Sequence, residues 1–131
     1  MIMRPDDLKD LASLSAKIGS DPMLVQGAGG NTSIKDWEVM WIKASGTLLA
    51  DALRHEIFVA CDLPAMRASL AKGEARADQP MEFALAKDGL RPSIETSLHA
   101  VFPQRVVLHV HCMTRQGMKG QRLFSSFPEA G

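Results

Sequence analysis

The chain has 131 residues, enough for one domain that buries about two thirds of the surface its unfolded form exposes. Fifteen basic and fifteen acidic side chains cancel to a formal net charge of zero. No segment is dominated by Lys or Arg, which argues against a nucleic-acid or anionic-membrane partner and for a small molecule or another subunit. No apolar run is long enough to span a bilayer and no basic-then-apolar leader opens the chain, so a cytoplasmic protein is expected, with Cys61 and Cys112 as reduced thiols ending apolar runs.

In chain order, residues 5–18 place Leu8, Leu11, Ala12 and Ile18 at helical spacing, with Pro5 and two aspartates at the front and Gly19 behind, which predicts an amphipathic helix. A glycine-rich stretch then leads into Thr32–Lys35, a turn around Asp36–Glu38 and the alternating run Val39–Lys43, the pattern of a hairpin. Residues 47–54 suit a short helical turn. Residues 56–61 form a third strand, and Asp62 is placed to cap a helix through Lys72 that carries Leu63, Met66 and Leu70 on one face. Residues 73–80 read as a surface loop and 81–85 as a short apolar strand or turn. Ser93 is the expected N-cap of another short helix, with Ile94, Leu98, Val101 and Phe102 on one face and Pro103 as the stop. An apolar strand, residues 105–112, follows at once. Strands and helices therefore alternate, giving an α/β class, whereas residues 113–131 show neither helical nor strand period and read as a divergent terminal tail after a domain covering 1–112.

Four motifs carry chemistry. In the last strand, "RVVLHVHC", His109 and His111 share a face with Cα atoms roughly 6–7 Å apart, so two imidazoles can meet one ion or can each be core residues hydrogen-bonded to backbone. Zinc wants three or four protein ligands, and this pair supplies two. "GAGGNTS", Gly27 to Ser33, offers backbone N–H groups free of Cβ shielding plus the Asn31 amide, suited to an anion or simply to a tight turn. "KASGT", residues 43–47, adds Ser45 and Gly46 in a similar turn. "RPSIET" sets Ser93 and Glu95 at a helix start, and Glu95 with His99 is an i,i+4 pair expected as a surface contact, His99 not counting as a ligand. His55 sits in a polar turn.

The ordered series from "VQGAGGNTSIK" through "WIKASGT" to "RPSIETSLHAVFPQRVVLHVHC" resembles the class II aldolase/adducin family, most closely its rhamnulose-1-phosphate aldolase-like branch and the aldolase halves of aldolase/dehydrogenase fusions, over about residues 10–112. The resemblance implies a three-layer α/β/α fold around a mixed, mainly antiparallel sheet, incomplete at the C-terminus, and a homo-oligomer. It implies a divalent metal, usually zinc, held by His109, His111 and a third histidine downstream. It also implies a ketose phosphate as substrate, its phosphate cradled by Gly30, Asn31, Ser45, Gly46 and Ser93, with Glu95 as acid/base in reversible carbon–carbon cleavage. The sequence departs from that pattern in three places. Ile94 stands where a second serine is common, no histidine follows position 111, and there is no tyrosine. The expectation is thus an aldolase-like chain cut short after Cys112, with activity weakened or lost. The alternatives are a non-catalytic adducin-like scaffold domain and a sugar-phosphate binding module.

Overall fold

The computed structural model describes residues 5–86, 89–113 and 119–125. Helix α1 spans Asp7–Gly19 and turns Leu8, Leu11 and Ser15 inward, one residue every three or four, as the helical period requires. Asp7 and Asp10 lie at its positive end and Lys17 at its negative end, each favourable to the helix dipole. Strands β1 (Asn31–Asp36) and β2 (Val39–Lys43) form the expected antiparallel hairpin, with Ser33 opposite Ile42 and Asp36 opposite Val39. Trp37 at its tip is 92% exposed and adopts a φ of 57°, an uncommon conformation for so bulky a residue.

Strand β3 (Phe58–Asp62) pairs with β2 and runs directly into helix α2 (Leu63–Ala71). The Asp62 carboxylate accepts from the Ala65 N–H at 3.0 Å, the cap the sequence predicted. Short 3₁₀ turns occupy Leu49–Asp51, Ala75–Asp78 and Pro80–Phe83, so the segment 81–85 is mainly a turn, joined to the sheet by an isolated bridge between Cys61 and Ala84 and by the packing of Phe83. Helix α3 (Thr96–Val101) leads to β4 (Val106–Met113), which pairs with β1.

The five strands lie in the order β3-β2-β1-β4-β5, and every described pairing is antiparallel. Strand alternation sends Ile34, Trp41, Phe58, Ala60 and Val110 to one face, where they pack on Leu8 and Leu11 of α1. Met40, Ile42, Val59 and Cys61 go to the other face and pack on Leu63 and Met66 of α2 and Ala100 of α3. The result is the three-layer α/β/α arrangement, with a separate apolar core on each side of the sheet. Met40, Ile42 and Met66 are fully buried, each contributing about 1.5–3 kcal/mol of transfer free energy. Cys61 is a free thiol in the second core, and burial pushes its pKa up to about 12. No helix among the described residues is long and apolar enough to cross a membrane.

Two sequence expectations are corrected. Helix α3 starts at Thr96 rather than at Ser93, and it buries Thr96, His99 and Ala100 while Ile94, Leu98 and Val101 are exposed, Ile94 by 86%. The apolar stripe is not the inward face. Instead, polar partners on β1 receive the other side of the helix, so His99 is an interior residue rather than a surface contact. The tail is not without strand structure either, because β5 (Lys119–Ser125) runs along β4 from Val107 opposite Ser125 to Met113 opposite Lys119. Strand pairing here is set by the ladder offered by β4, not by alternation within residues 119–125. The rest of the tail, 114–118 and 126–131, lies outside the described residues, as does the Cys112 side chain.

Candidate active site

The site lies at one end of the sheet, where two loops and two element ends meet. Gly30 turns the glycine-rich loop into β1 with a φ of 78°, in space bounded by Leu49, Val25 and the His109 carbonyl. The loop is tied to β4 by the His111 N–H donating to the Leu24 carbonyl at 2.9 Å and by the Gln26 side chain donating to the His111 carbonyl at 3.1 Å. The second loop, after β2, is tied to the segment before α3. The Ser45 N–H donates to the Arg91 carbonyl at 2.7 Å and the Ser93 N–H to the Lys43 carbonyl at 3.2 Å. These bonds bring motifs from about fifty to almost ninety residues apart in sequence to one place.

Between them is a cleft of about 230 Å³ lined by Gly30, Asn31, Ser45, Gly46, Ser93, Glu95 and His111, together with Ala28, Gly29, Lys43 and Ile94. The cleft thus gathers every residue expected at the site except His109. His109 is opposite Asn31 in the sheet, and its Nδ1 lies 2.9 Å from Glu95 Oε2. The two imidazole rings of β4 are 5.0 Å apart at their centroids. Ser93 does not cap a helix; it closes a tight turn in which its Oγ accepts from the Glu95 N–H at 3.1 Å and from the Asn31 amide at 2.6 Å. Asn31 Oδ1 is buried without a hydrogen-bond partner among the described residues.

Glu95 is held between two imidazoles, with His99 Nε2 3.8 Å from Oε1 on the inner side and His109 on the other. His99 first, then His109 and Asn31, outweigh the burial that opposes ionisation and hold the carboxyl at about 2. Lys43 is the residue the sequence analysis missed. It sits 3% exposed at the end of β2, and its ammonium donates to the Ala28 carbonyl at 3.0 Å and the Thr47 carbonyl at 2.6 Å, bracing one anion-type loop against the other. Burial pushes its pKa down, partly offset by the Glu95 charge. The only hint in the sequence was a lysine at an inward-alternating position of an otherwise apolar strand.

A metal would find two suitable donors here. With Glu95 on its Nδ1, His109 would offer Nε2, the arrangement in which a carboxylate orients a ligating imidazole, and His111 would offer a ring nitrogen from the cleft wall. A full set is not assembled: among the described residues, no group of three or more His, Cys, Asp or Glu is placed to hold an ion.

The three-layer fold thus sets two glycine turns, a carboxylate and a paired-histidine strand together at one end of the sheet. The chain belongs to the family described as the class II aldolase and adducin N-terminal domain, whose model matches residues 9–118. Among solved structures it is similar to the N-terminal class II aldolase domain of a conserved protein from Thermoplasma acidophilum, with a TM-score of 0.69 and 32% identity, covering 86% of this chain and 58% of that one. It is also 36% identical, over 82% of its own length, to an uncharacterized oxidoreductase, YuxG, of Bacillus subtilis (strain 168). The chain spans 17% of the length of that relative.

Proposed function

We propose that this chain is a class II aldolase-type domain acting on a ketose phosphate by reversible aldol cleavage, with a divalent cation, zinc in the first instance, as cofactor and a homo-oligomer as its working form. The observation that carries this reading is the convergence of Gly30, Asn31, Ser45, Gly46 and Ser93 on one cleft with Glu95 and His111, and with His109 behind Glu95. A bound cation would polarise the ketose oxygens and lower the cost of negative charge next to the carbonyl. The chain's own residues do the rest. The Gly30 and Gly46 turns and the Asn31, Ser45 and Ser93 side chains line the cleft as donors for the phosphate, and the Lys43 ammonium adds positive potential.

Glu95 moves the proton. Its contacts keep it ionised at neutral pH and therefore free to accept, but a carboxyl held at about 2 is a weak base. Entry of substrate that exchanges one imidazole contact for a ligand contact raises its basicity toward the working pH. The exposed Ile94 at the cleft mouth leaves the phosphate one hydroxyl donor fewer, favouring weak phosphate affinity.

The name of the B. subtilis relative speaks of an oxidoreductase, but the matched stretch is a small part of that protein, and the glycine spacing of residues 27–33 is not that of a dinucleotide fingerprint. The test is metal content by plasma mass spectrometry beside a His109→Ala/His111→Ala double variant, followed by aldol cleavage assays over ketose phosphates. Zinc near one per chain, lost in the double variant, with measurable cleavage supports the reading. No zinc after loading and no cleavage removes the catalytic reading and leaves a scaffold domain.

A further inference from the structure

The chemistry proposed for the cleft gives His99 no contact with substrate or ion, yet this imidazole is fully buried on the inner side of α3. Its Nδ1 lies 2.6 Å from Ser33 Oγ, on a β1 residue that is also fully buried, and its Nε2 faces Glu95 Oε1 at 3.8 Å. The second oxygen of Glu95 faces His109 Nδ1 at 2.9 Å. Four side chains therefore form a line from the middle of the sheet to the cleft: Ser33 on β1, His99 on α3, Glu95 before α3, and His109 on β4.

Burial pushes the His99 pKa down, so its ring carries one proton near neutral pH. That proton has two possible seats. On Nδ1 it would be donated to Ser33, leaving the Nε2 lone pair facing an anionic oxygen, which is repulsive. On Nε2 it points to the carboxylate, and the Ser33 hydroxyl donates to Nδ1. Only the second seat turns a donor rather than a lone pair toward the carboxylate across that 3.8 Å gap while Nδ1 keeps its bond to Ser33.

We infer that Ser33 and His99 are positioning residues for Glu95: Ser33 selects the Nε2–H form of His99, and His99 holds one carboxylate oxygen inward so that the other fixes the proton of His109 on Nδ1. His109 is then left with its Nε2 lone pair free for a ligand or an ion. The inference rests on the reading of Glu95 and His109 as site residues, but not on turnover or on a bound metal.

The experiment is long-range proton–nitrogen NMR at neutral pH on the full chain labelled with ¹⁵N at histidine, without added metal. Four histidines make the assignment tractable by single substitution. The native chain should show His99 as the Nε2–H form and His109 as the Nδ1–H form. His99→Gln, which retains an N–H donor toward Glu95, should preserve the His109 signature, whereas His99→Phe should replace it by a mixture of the two forms. Ser33→Ala should turn the single His99 form into a mixture, and it decides the matter if His99→Phe does not fold. An Nδ1–H form of His99 in the native chain, an unchanged His99 signature in Ser33→Ala, or an unchanged His109 signature in folded His99→Phe would each overturn the inference. Absence of aldol cleavage with these signatures in place would count against the proposed function alone.

Discussion

Gly30→Ala is the substitution that most directly separates backbone conformation from packing at this site, because a matched control exists at Gly46. Both glycines have left-handed backbone, with φ of 78° and 79°. An alanine in that conformation costs roughly 1–2 kcal/mol in either place. A Cβ at Gly46 would meet nothing within 4 Å. At Gly30 it would stand 3.0 Å from both Leu49 Cδ1 and Val25 Cγ2 and 3.5 Å from the His109 carbonyl oxygen. Leu49 is fully buried and Val25 nearly so, leaving neither much room to give, so overpacking adds about 1–3 kcal/mol. Gly30→Ala should therefore cost about 2–5 kcal/mol and Gly46→Ala about 1–2 kcal/mol. The assay is urea unfolding followed by far-ultraviolet circular dichroism, comparing midpoints at a common slope. Equal losses for the two variants would refute the packing argument, and with it the idea that the glycine-rich loop is pressed onto the core by its register beside β4.

Two further outcomes follow from the same structure. Glu95 is held at about 2 in the fold against an ordinary value of 4.5, so its folded state binds fewer protons than the unfolded state in that window. Its stabilisation, about 3 kcal/mol at most, is present above pH 4.5 and lost as pH falls toward 2. His99, depressed by burial, adds an earlier loss that begins as pH falls through about 6.5, where the unfolded imidazole takes up a proton first. The stability gap between the native chain and Glu95→Gln, measured by urea unfolding at pH 6 and pH 3, should narrow at the lower pH; a constant gap contradicts the electrostatic account. Met66→Ala, at a fully buried position between α2 and the sheet, should cost about 2–5 kcal/mol, whereas Ile94→Ser, at an exposed position, should change stability by less than about 0.5 kcal/mol in the same measurement.

Much of this organisation was legible in the chain. Helical spacing of Leu8 and Leu11, the alternation of Val39–Lys43 and the cap at Asp62 are local signals, and local sterics and hydrogen bonding honour them. The same holds for the glycine turns and for the shared face of His109 and His111, since strand period alone puts i and i+2 together. The residues expected at the site, from Gly30 to His111, converge as the motif order implied.

What local signals could not decide was which face of a short helix turns inward. In α3 the apolar residues Leu98 and Val101 lost to Thr96 and His99, because the β1 surface that receives the helix is itself polar at Asn31, Ser33 and Lys35. Each of those side chains makes a hydrogen bond across the interface, to Ser93, His99 and the Gln104 carbonyl respectively, and losing these bonds would cost more than exposing two aliphatic groups. The bracing role of Lys43 and the pairing of β5 have the same origin. Each depends on partners distant in sequence, the loop carbonyls of Ala28 and Thr47 in one case and the open edge of β4 in the other. The sequence by itself determined the first helix, the hairpin, β3 with α2, and the loop, carboxylate and histidine motifs of the site; the tertiary structure decided which polar groups are buried together, because a buried polar group must find a partner that a surface group can find in water.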